Sequence, residues 1–269
     1  MLEIIGYIAA IAIGITLGLI GGGGSILTVP VLVYLLGSDA TSATGYSLFI
    51  VGVTSAIGSV AFFKRKLVSL RTAIVFGIPS IIAVYATRAF IVPALPDVIF
   101  SFGNFTFTKD VFLMVLFAVL MILASYSMIK KKKTSADDTG LPSEQAFNYP
   151  IILLEGSVVG VLTGLVGAGG GFLIIPALVI LSKLPMKMAV GTSLVIIAAK
   201  SMLGFLGEPN LTDPSFEWRM ILLVTLMAIV GIFIGSFLSE KIDGNKLKPA
   251  FGWFVLVMGI YILMVELFF

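Results

Sequence analysis

The segment Gly18–Pro30, GLIGGGGSILTVP, sets a run of glycines inside an apolar stretch, and a second copy follows at Gly164–Pro176, GLVGAGGGFLIIP. Glycine is the poorest helix former other than proline, so such a run ends a helix wherever it falls. The apolar block carrying the first copy reaches from Leu2 to Leu36. As one straight helix it would be about 50 Å long, against a bilayer hydrocarbon core of about 30 Å. The block must break, and Gly21–Gly24 is where it can. Two arms are expected, Ile4–Ile20 and Ser25–Leu36, the second too short to span a bilayer alone.

The surroundings place that break in a membrane. Of 269 residues, 59% are hydrophobic and 12% charged, whereas soluble domains carry about 25% charged residues. The apolar residues fall in long blocks, which predicts an all-α polytopic membrane protein. After the first block come Ala43–Phe63, Leu67–Val92 and Val111–Ile129, then Pro150–Val166, Gly171–Leu181, Ala189–Leu206, Met220–Leu238 and Phe251–Phe269. No alternation of the kind that marks a membrane β-barrel is visible. The stretch Pro93–Asp110 is semi-apolar with aromatics and reads as an interfacial loop. At the N-terminus, Glu3 stands where a signal peptide has its basic region, so a cleaved leader is not expected.

Composition also removes function classes. The chain has no His and no Cys. Thiol redox chemistry, Cys or His nucleophile pairs, and thiolate or imidazole metal sites are therefore excluded. No metal, no cofactor and no enzymatic activity are expected. No Lys-Ser/Thr follows either glycine run, so a P-loop is a poor reading. The net charge of +3 is accounted for by cytoplasmic Lys and Arg, without nucleic acid.

The duplication extends beyond the glycines. Over Gly18–Gly58 and Gly164–Gly204 roughly 17 of 41 positions are identical, a strong internal repeat. Matches include Gly21/Gly167, Gly23/Gly169, Gly24/Gly170, Pro30/Pro176, Ser47/Ser193, Ser55/Ser201 and Gly58/Gly204. The chain divides into a first repeat, 1–133, a polar cytoplasmic linker, 134–149, and a second repeat, 150–269. Basic clusters at Lys64–Lys66 with Arg71, Lys130–Lys133, Lys183 with Lys187, and Lys241 with Lys246 and Lys248 are assigned to the cytoplasm. Each half then holds one glycine-broken hairpin plus three transmembrane helices. The halves are inverted relative to each other, with both termini outside.

The candidate site follows. A helix arm that starts on a glycine run offers free N–H groups and a positive dipole end to an anion. If two such hairpins enter from opposite faces, their arms meet near the midplane. Expected substrate-binding residues are Gly21, Gly22, Gly23, Gly24 and Ser25 in one half and Gly167, Gly169, Gly170 and Gly171 in the other. The bland alternative is close helix packing. Lys200, midway along an apolar block, costs about 2.5–3.5 kcal/mol to insert and is expected to hold the anion; snorkelling or a buried pair with Glu155 are the alternatives. Ser47, Thr192 and Ser193 could donate hydroxyls, or bond their own helix carbonyls; Ser55 and Ser201 are weaker candidates of the same kind. Glu155, inside an apolar arm, is the candidate coupling carboxylate or a structural partner. Arg88 is read as snorkelling to the outer interface, with a gate as the alternative. Gly231 and Gly235 form a GxxxG, read as packing within the bundle, with homodimerisation as the alternative.

These motifs carry a family likeness. The two glycine segments, each followed by a G-x-S-L (GYSL and GTSL), resemble the TauE/SafE family of bacterial and archaeal membrane permeases. The resemblance covers essentially the whole chain. It implies export of sulfite, organosulfonates or related sulfur-containing anions, with substrate handling on Gly21–Ser25 and Gly167–Gly171. Gly22 is matched by Ala168 and Ser25 by Gly171, so the half-sites differ. The expectation is a multi-pass protein of the cell inner (plasma) membrane. It would move a small oxyanion by alternating access, driven by an ion or substrate gradient; a channel-like anion pathway on the same fold is the alternative.

Overall fold

The computed structural model describes residues 2–102, 105–129, 149–167, 169–180, 184–208, 216–239 and 244–268. The linker 134–149 apart from Tyr149, the cluster Lys130–Lys133, and Lys183, Lys241 and Ala168 lie outside the described residues.

The first block breaks where the glycines allow. Helix α1, Leu2–Ile20, gives way to a return arm. That arm starts as a tight 3-10 turn, Gly21–Leu27, passes through Thr28–Pro30 and ends in a widened π turn, Val31–Leu35. It folds back along α1: a Cβ added at Gly6 would lie 3.6 Å from the Leu35 Cβ. Helix α2, Ala40–Lys64, is capped by Asp39, whose carboxylate accepts the Ser42 N–H at 2.8 Å and so satisfies one of the free donors of the first turn. Helix α3, Leu70–Ala86, runs on through a second π turn, Thr87–Ile91, to Val92–Ala94. Both π turns adjoin prolines, Pro30 and Pro93, where the helical hydrogen-bond ladder is interrupted.

An antiparallel pair, β1 (Val98–Phe102) and β2 (Phe105–Thr108), precedes helix α4, Lys109–Ile129. Among the described residues the chain is otherwise helical, as expected of a polytopic membrane protein, and this small hairpin occupies part of the stretch Pro93–Asp110 read as an interfacial loop. Phe100 and Phe107 stack across the pair at 4.8 Å, the kind of cross-strand aromatic contact that stabilises a small hairpin.

The second half repeats the order. Helix α5, Tyr149–Val166, meets a glycine break and a short arm, α6, Gly171–Ile180. Helices α7 (Met186–Phe205), α8 (Trp218–Leu238) and α9 (Gly244–Phe268) follow. Among the described residues, five helical segments are long and apolar enough to cross a membrane, in α2, α3, α4, α7 and α8; the apolar part of α9, Gly252–Leu267, is shorter.

Packing exchanges the halves. Helix α1 lies on α8, and its counterpart α5 lies on α3; α2 lies on α7, and α4 on α9. Glycines let the first two pairs approach to backbone contact. A Cβ at Gly18 would lie 2.7 Å from the Ile232 carbonyl oxygen, and one at Gly156 would lie 2.8 Å from that of Phe76. Gly231 and Gly235 face the backbone of α1 at Ile11 and Ile15, so this GxxxG packs inside the bundle.

Candidate functional site

The two glycine breaks touch. A Cβ built on Gly22 would run into the Gly171 Cα, and one on Gly171 into the Gly22 Cα. Only bare backbone fits at this crossing. The breaks are made differently, however. In the first, Gly21 alone is left-handed (φ 71°) and the following glycines wind directly into the 3-10 turn. The run was expected to be unwound, with its arm beginning at Ser25; instead the arm begins at Gly21. In the second, Gly167, Gly169 and Gly170 are all left-handed, at 73°, 62° and 68°. L-residues strongly disfavour that region, so the second arm starts later, at Gly171. Ser25 is buried and donates to the Gly22 carbonyl at 2.7 Å, which ties it into its own arm.

Each half reaches across to the other's break. The Ser47 hydroxyl lies in reach of the Thr44 carbonyl at 3.0 Å and of the Gly167 carbonyl in the other half. In the equivalent place, Ser193 Oγ lies 3.2 Å from a Cβ built on Gly21, and its hydroxyl donates to the Val190 carbonyl at 2.8 Å. Thr192 serves a connection instead: its Oγ1 accepts the Ser69 N–H at 2.9 Å, just before α3 begins. The hydroxyls left over are the weaker candidates. Ser55 and Ser201 are fully buried, and neither Oγ has a hydrogen-bond partner in the protein. Ser201 Oγ stands 3.3 Å from a Cβ built on Gly169, against the second break.

Lys200 points at the same break. It is fully buried, its Nζ donates to Thr163 Oγ1 at 3.1 Å, and Nζ is 2.7 Å from a Cβ built on Gly170. It therefore neither snorkels nor pairs with Glu155. Among the described residues no carboxylate forms an ion pair with it. A buried cation whose partner among the described residues is a neutral hydroxyl is costly, and an anion beside it removes much of that cost. Glu155 is only half-buried and lies eight residues before Thr163 on α5, about 12 Å along the helix axis. The structure does not bring it to the crossing.

The outward-snorkelling reading of Arg88 is overturned. Arg88 is fully buried, and its Nη2 meets Glu208 Oε2 at 2.7 Å. Its Nη1 donates to Thr44 Oγ1 at 3.0 Å and to the Gly164 carbonyl at 3.4 Å. The interior supplies a carboxylate, and once paired the guanidinium no longer needs water. Gly45 makes room: a Cβ there would lie 2.6 Å from Glu208 Oε2 and 2.7 Å from Arg88 Nη2. Sequence reasoning missed Glu208. The available signal was the lone arginine in an apolar block, which requires a partner. The repeat gave no help, because Phe62 occupies the equivalent position. Thr163 was missed for the same reason, since its counterpart is Leu17.

The crossing thus brings together two helix-arm origins, the buried Lys200 with no carboxylate partner among the described residues, and the unpartnered hydroxyl of Ser201. Among the described residues, no group of carboxylates could hold a metal ion.

The chain is similar to known membrane transporter proteins. The family model described as "Sulfite exporter TauE/SafE" matches residues 6–262. A protein of Bacillus subtilis, described as "Probable membrane transporter protein YunE", is 28% identical over 257 residues, covering 88% of this chain and 90% of that protein. A "Probable membrane transporter protein" of Xylella fastidiosa is 27% identical over 258 residues, covering 93% and 91%. No solved structure matches the chain.

Proposed function

The chain belongs to the TauE/SafE family and is a multi-pass helical membrane transporter, and from that membership we propose that it exports a small sulfur-containing oxyanion, such as sulfite or an organosulfonate, across the plasma membrane. The observation that carries this reading is Lys200. A fully buried ammonium with a neutral hydroxyl as its partner, set against the glycine crossing, is a site short of one negative charge.

The first turn of each arm adds donors. The leading N–H groups of a helix have no acceptors within it, and the arms' positive dipole ends meet at Gly22 and Gly171. Ser201, whose unpartnered hydroxyl stands against the second break, contributes another donor. A tetrahedral or pyramidal oxyanion offers several acceptor atoms and can use donors from several directions at once.

Alternating access is the mechanism this reading assigns. The crossing is packed backbone to backbone, which leaves little room for a continuous water-filled pore. The exchange of packing partners between halves supports a two-fold relation. Together with the cytoplasmic orientation expected for the basic clusters, it supports two inverted repeats that rock about the shared site. The return of the first arm to the start of α1 supports a hairpin that re-emerges on its own face.

The test is a thermal-shift screen of purified protein with sulfite, sulfate, thiosulfate, sulfoacetate and taurine, repeated on Lys200→Ala. At a ligand concentration of 100 times Kd, binding adds about 2.7 kcal/mol of stability, enough for a resolved rise in melting temperature. A sulfur oxyanion is expected to stabilise the native chain and not the variant. Stabilisation of neither by any of the five would overturn the anion site. Accumulation of substrate against its gradient would separate a transporter from a channel-like pathway.

A further inference from the structure

We propose that Arg88 is a second anion-binding group on the transport path, and that the Glu208 carboxylate is a built-in occupant which the substrate displaces. This rests on the transporter reading above and names a further residue pair that handles the same oxyanion.

Three observations carry it. First, the two buried cations are attached to consecutive residues of one helix. Lys200 donates to Thr163 and Arg88 to the Gly164 carbonyl. Arg88 therefore sits one residue along α5 from the group that holds Lys200. Thr44 ties Arg88 to the second glycine break, since its Oγ1 accepts from Arg88 and its carbonyl oxygen, like that of Gly167, lies in reach of the Ser47 hydroxyl.

Second, the pair is in contact but incompletely bonded. Arg88 and Glu208 approach to 2.7 Å, yet Arg88 Nε, Arg88 Nη2 and Glu208 Oε2 all lack an aligned hydrogen bond. A guanidinium has a planar fork of donors that matches an oxyanion in two-point fashion. Here Glu208 meets the fork at Nη2 only, and Nε has no partner. An incoming oxyanion could engage Nε and Nη2 together, which Glu208 does not.

Third, Glu208 can leave. It lies beyond the C-terminal end of α7 at Phe205, so its departure unwinds no helix. Arg88 stays put, fixed within the π turn Thr87–Ile91 of α3, and such widened turns recur at functional sites. Exchange of one anion for another keeps the guanidinium compensated throughout, which avoids stranding a bare buried charge. A Cβ at position 45 would run into both groups, so only glycine there lets the pair sit where it does.

Displacement makes a quantitative demand. If Glu208 holds Arg88 nearly all the time, the apparent affinity of an oxyanion is reduced by the fraction of time Arg88 is free. Removing the competing charge with Glu208→Gln, which preserves shape, is expected to tighten sulfite binding by about tenfold or more, measured by calorimetry on full-length protein in lipid nanodiscs. The same variant should slow sulfite release and lower turnover in proteoliposomes, because the exit from Arg88 is no longer assisted. Arg88→Gln in the Glu208→Gln background should cancel the gain. If Glu208→Gln is not folded by size exclusion and melting, Glu208→Asp carries the test, with a smaller gain in the same direction.

Unchanged or weaker sulfite binding in a folded Glu208 variant overturns the displacement. If Lys200→Ala still abolishes binding in that case, the transporter reading stands while this inference fails. If neither the native chain nor any Glu208 variant binds sulfite or sulfate, both fail together.

Discussion

At the scale of single residues, the account turns on places where a side chain would be in the way. Gly22 and Gly171 face each other as bare backbone. Gly22→Ala is expected to cost about 1–3 kcal/mol by overpacking, read as a lowered melting temperature in detergent. Gly77 provides the control. It lies within α3 with nothing within 4 Å of its added Cβ, so Gly77→Ala should gain about 0.5–1 kcal/mol from helix propensity. Equal effects at the two positions would contradict the crossing. Lys200 was legible because a cation in a long apolar block stands out against the composition of its surroundings. Its partner Thr163, the unpartnered state of Ser201 and the pairing of Arg88 with Glu208 were not. Each depends on which helix faces which, and single-sequence reasoning had only the repeat to supply that. The repeat is informative where the halves agree, as at Ser47 and Ser193. It is silent where they diverge, as at Phe62 and Glu208.

At the scale of elements, the glycine-broken hairpin was the most legible piece, since length against bilayer thickness forced the break. Its inner geometry was not legible. Four consecutive glycines permit both an unwound strand and a 3-10 turn, and contact with the second arm, absent from any local pattern, coincides with the wound form. The β1–β2 pair went unread for a different reason: its alternation, VIFSF and FTFT, spans too few residues to stand out beside apolar helices. The hairpin's return can be tested directly, because the chain has no native cysteine. The Leu35 Cβ lies 3.6 Å from a Cβ at position 6, within the range of about 3.5–4.5 Å that a disulfide needs. Gly6→Cys combined with Leu35→Cys should therefore cross-link under mild oxidation, seen as a mobility shift reversed by reductant. If the arm continued straight through the bilayer, position 35 would lie on the order of 40 Å from position 6, and no cross-link would form.

At the scale of the whole molecule, the fold places two imperfect copies around one shared junction. Helix packing crosses from half to half, so neither half buries its apolar faces without the other. The inverted arrangement proposed above makes a prediction about sidedness. Lys64, at the end of α2, should be cytoplasmic, and Ser101, in the β1–β2 pair, should be external; both are exposed. Lys64→Cys should react with a membrane-impermeant maleimide only after cell permeabilisation, and Ser101→Cys should react in intact cells. The reverse pattern, or labelling of both from one side, would contradict the assigned orientation.

The central claim is that a buried lysine at the junction of two glycine breaks holds the transported oxyanion. The most direct measurement is counterflow of radiolabelled sulfite in proteoliposomes, comparing the native chain with Lys200→Met, which removes the charge while keeping an unbranched apolar stem. The native chain should exchange label rapidly. The variant, folded by the same melting criterion, should lose exchange by about tenfold or more, as removal of a charge-assisted contact implies. Exchange at the native rate by a folded Lys200→Met would contradict it.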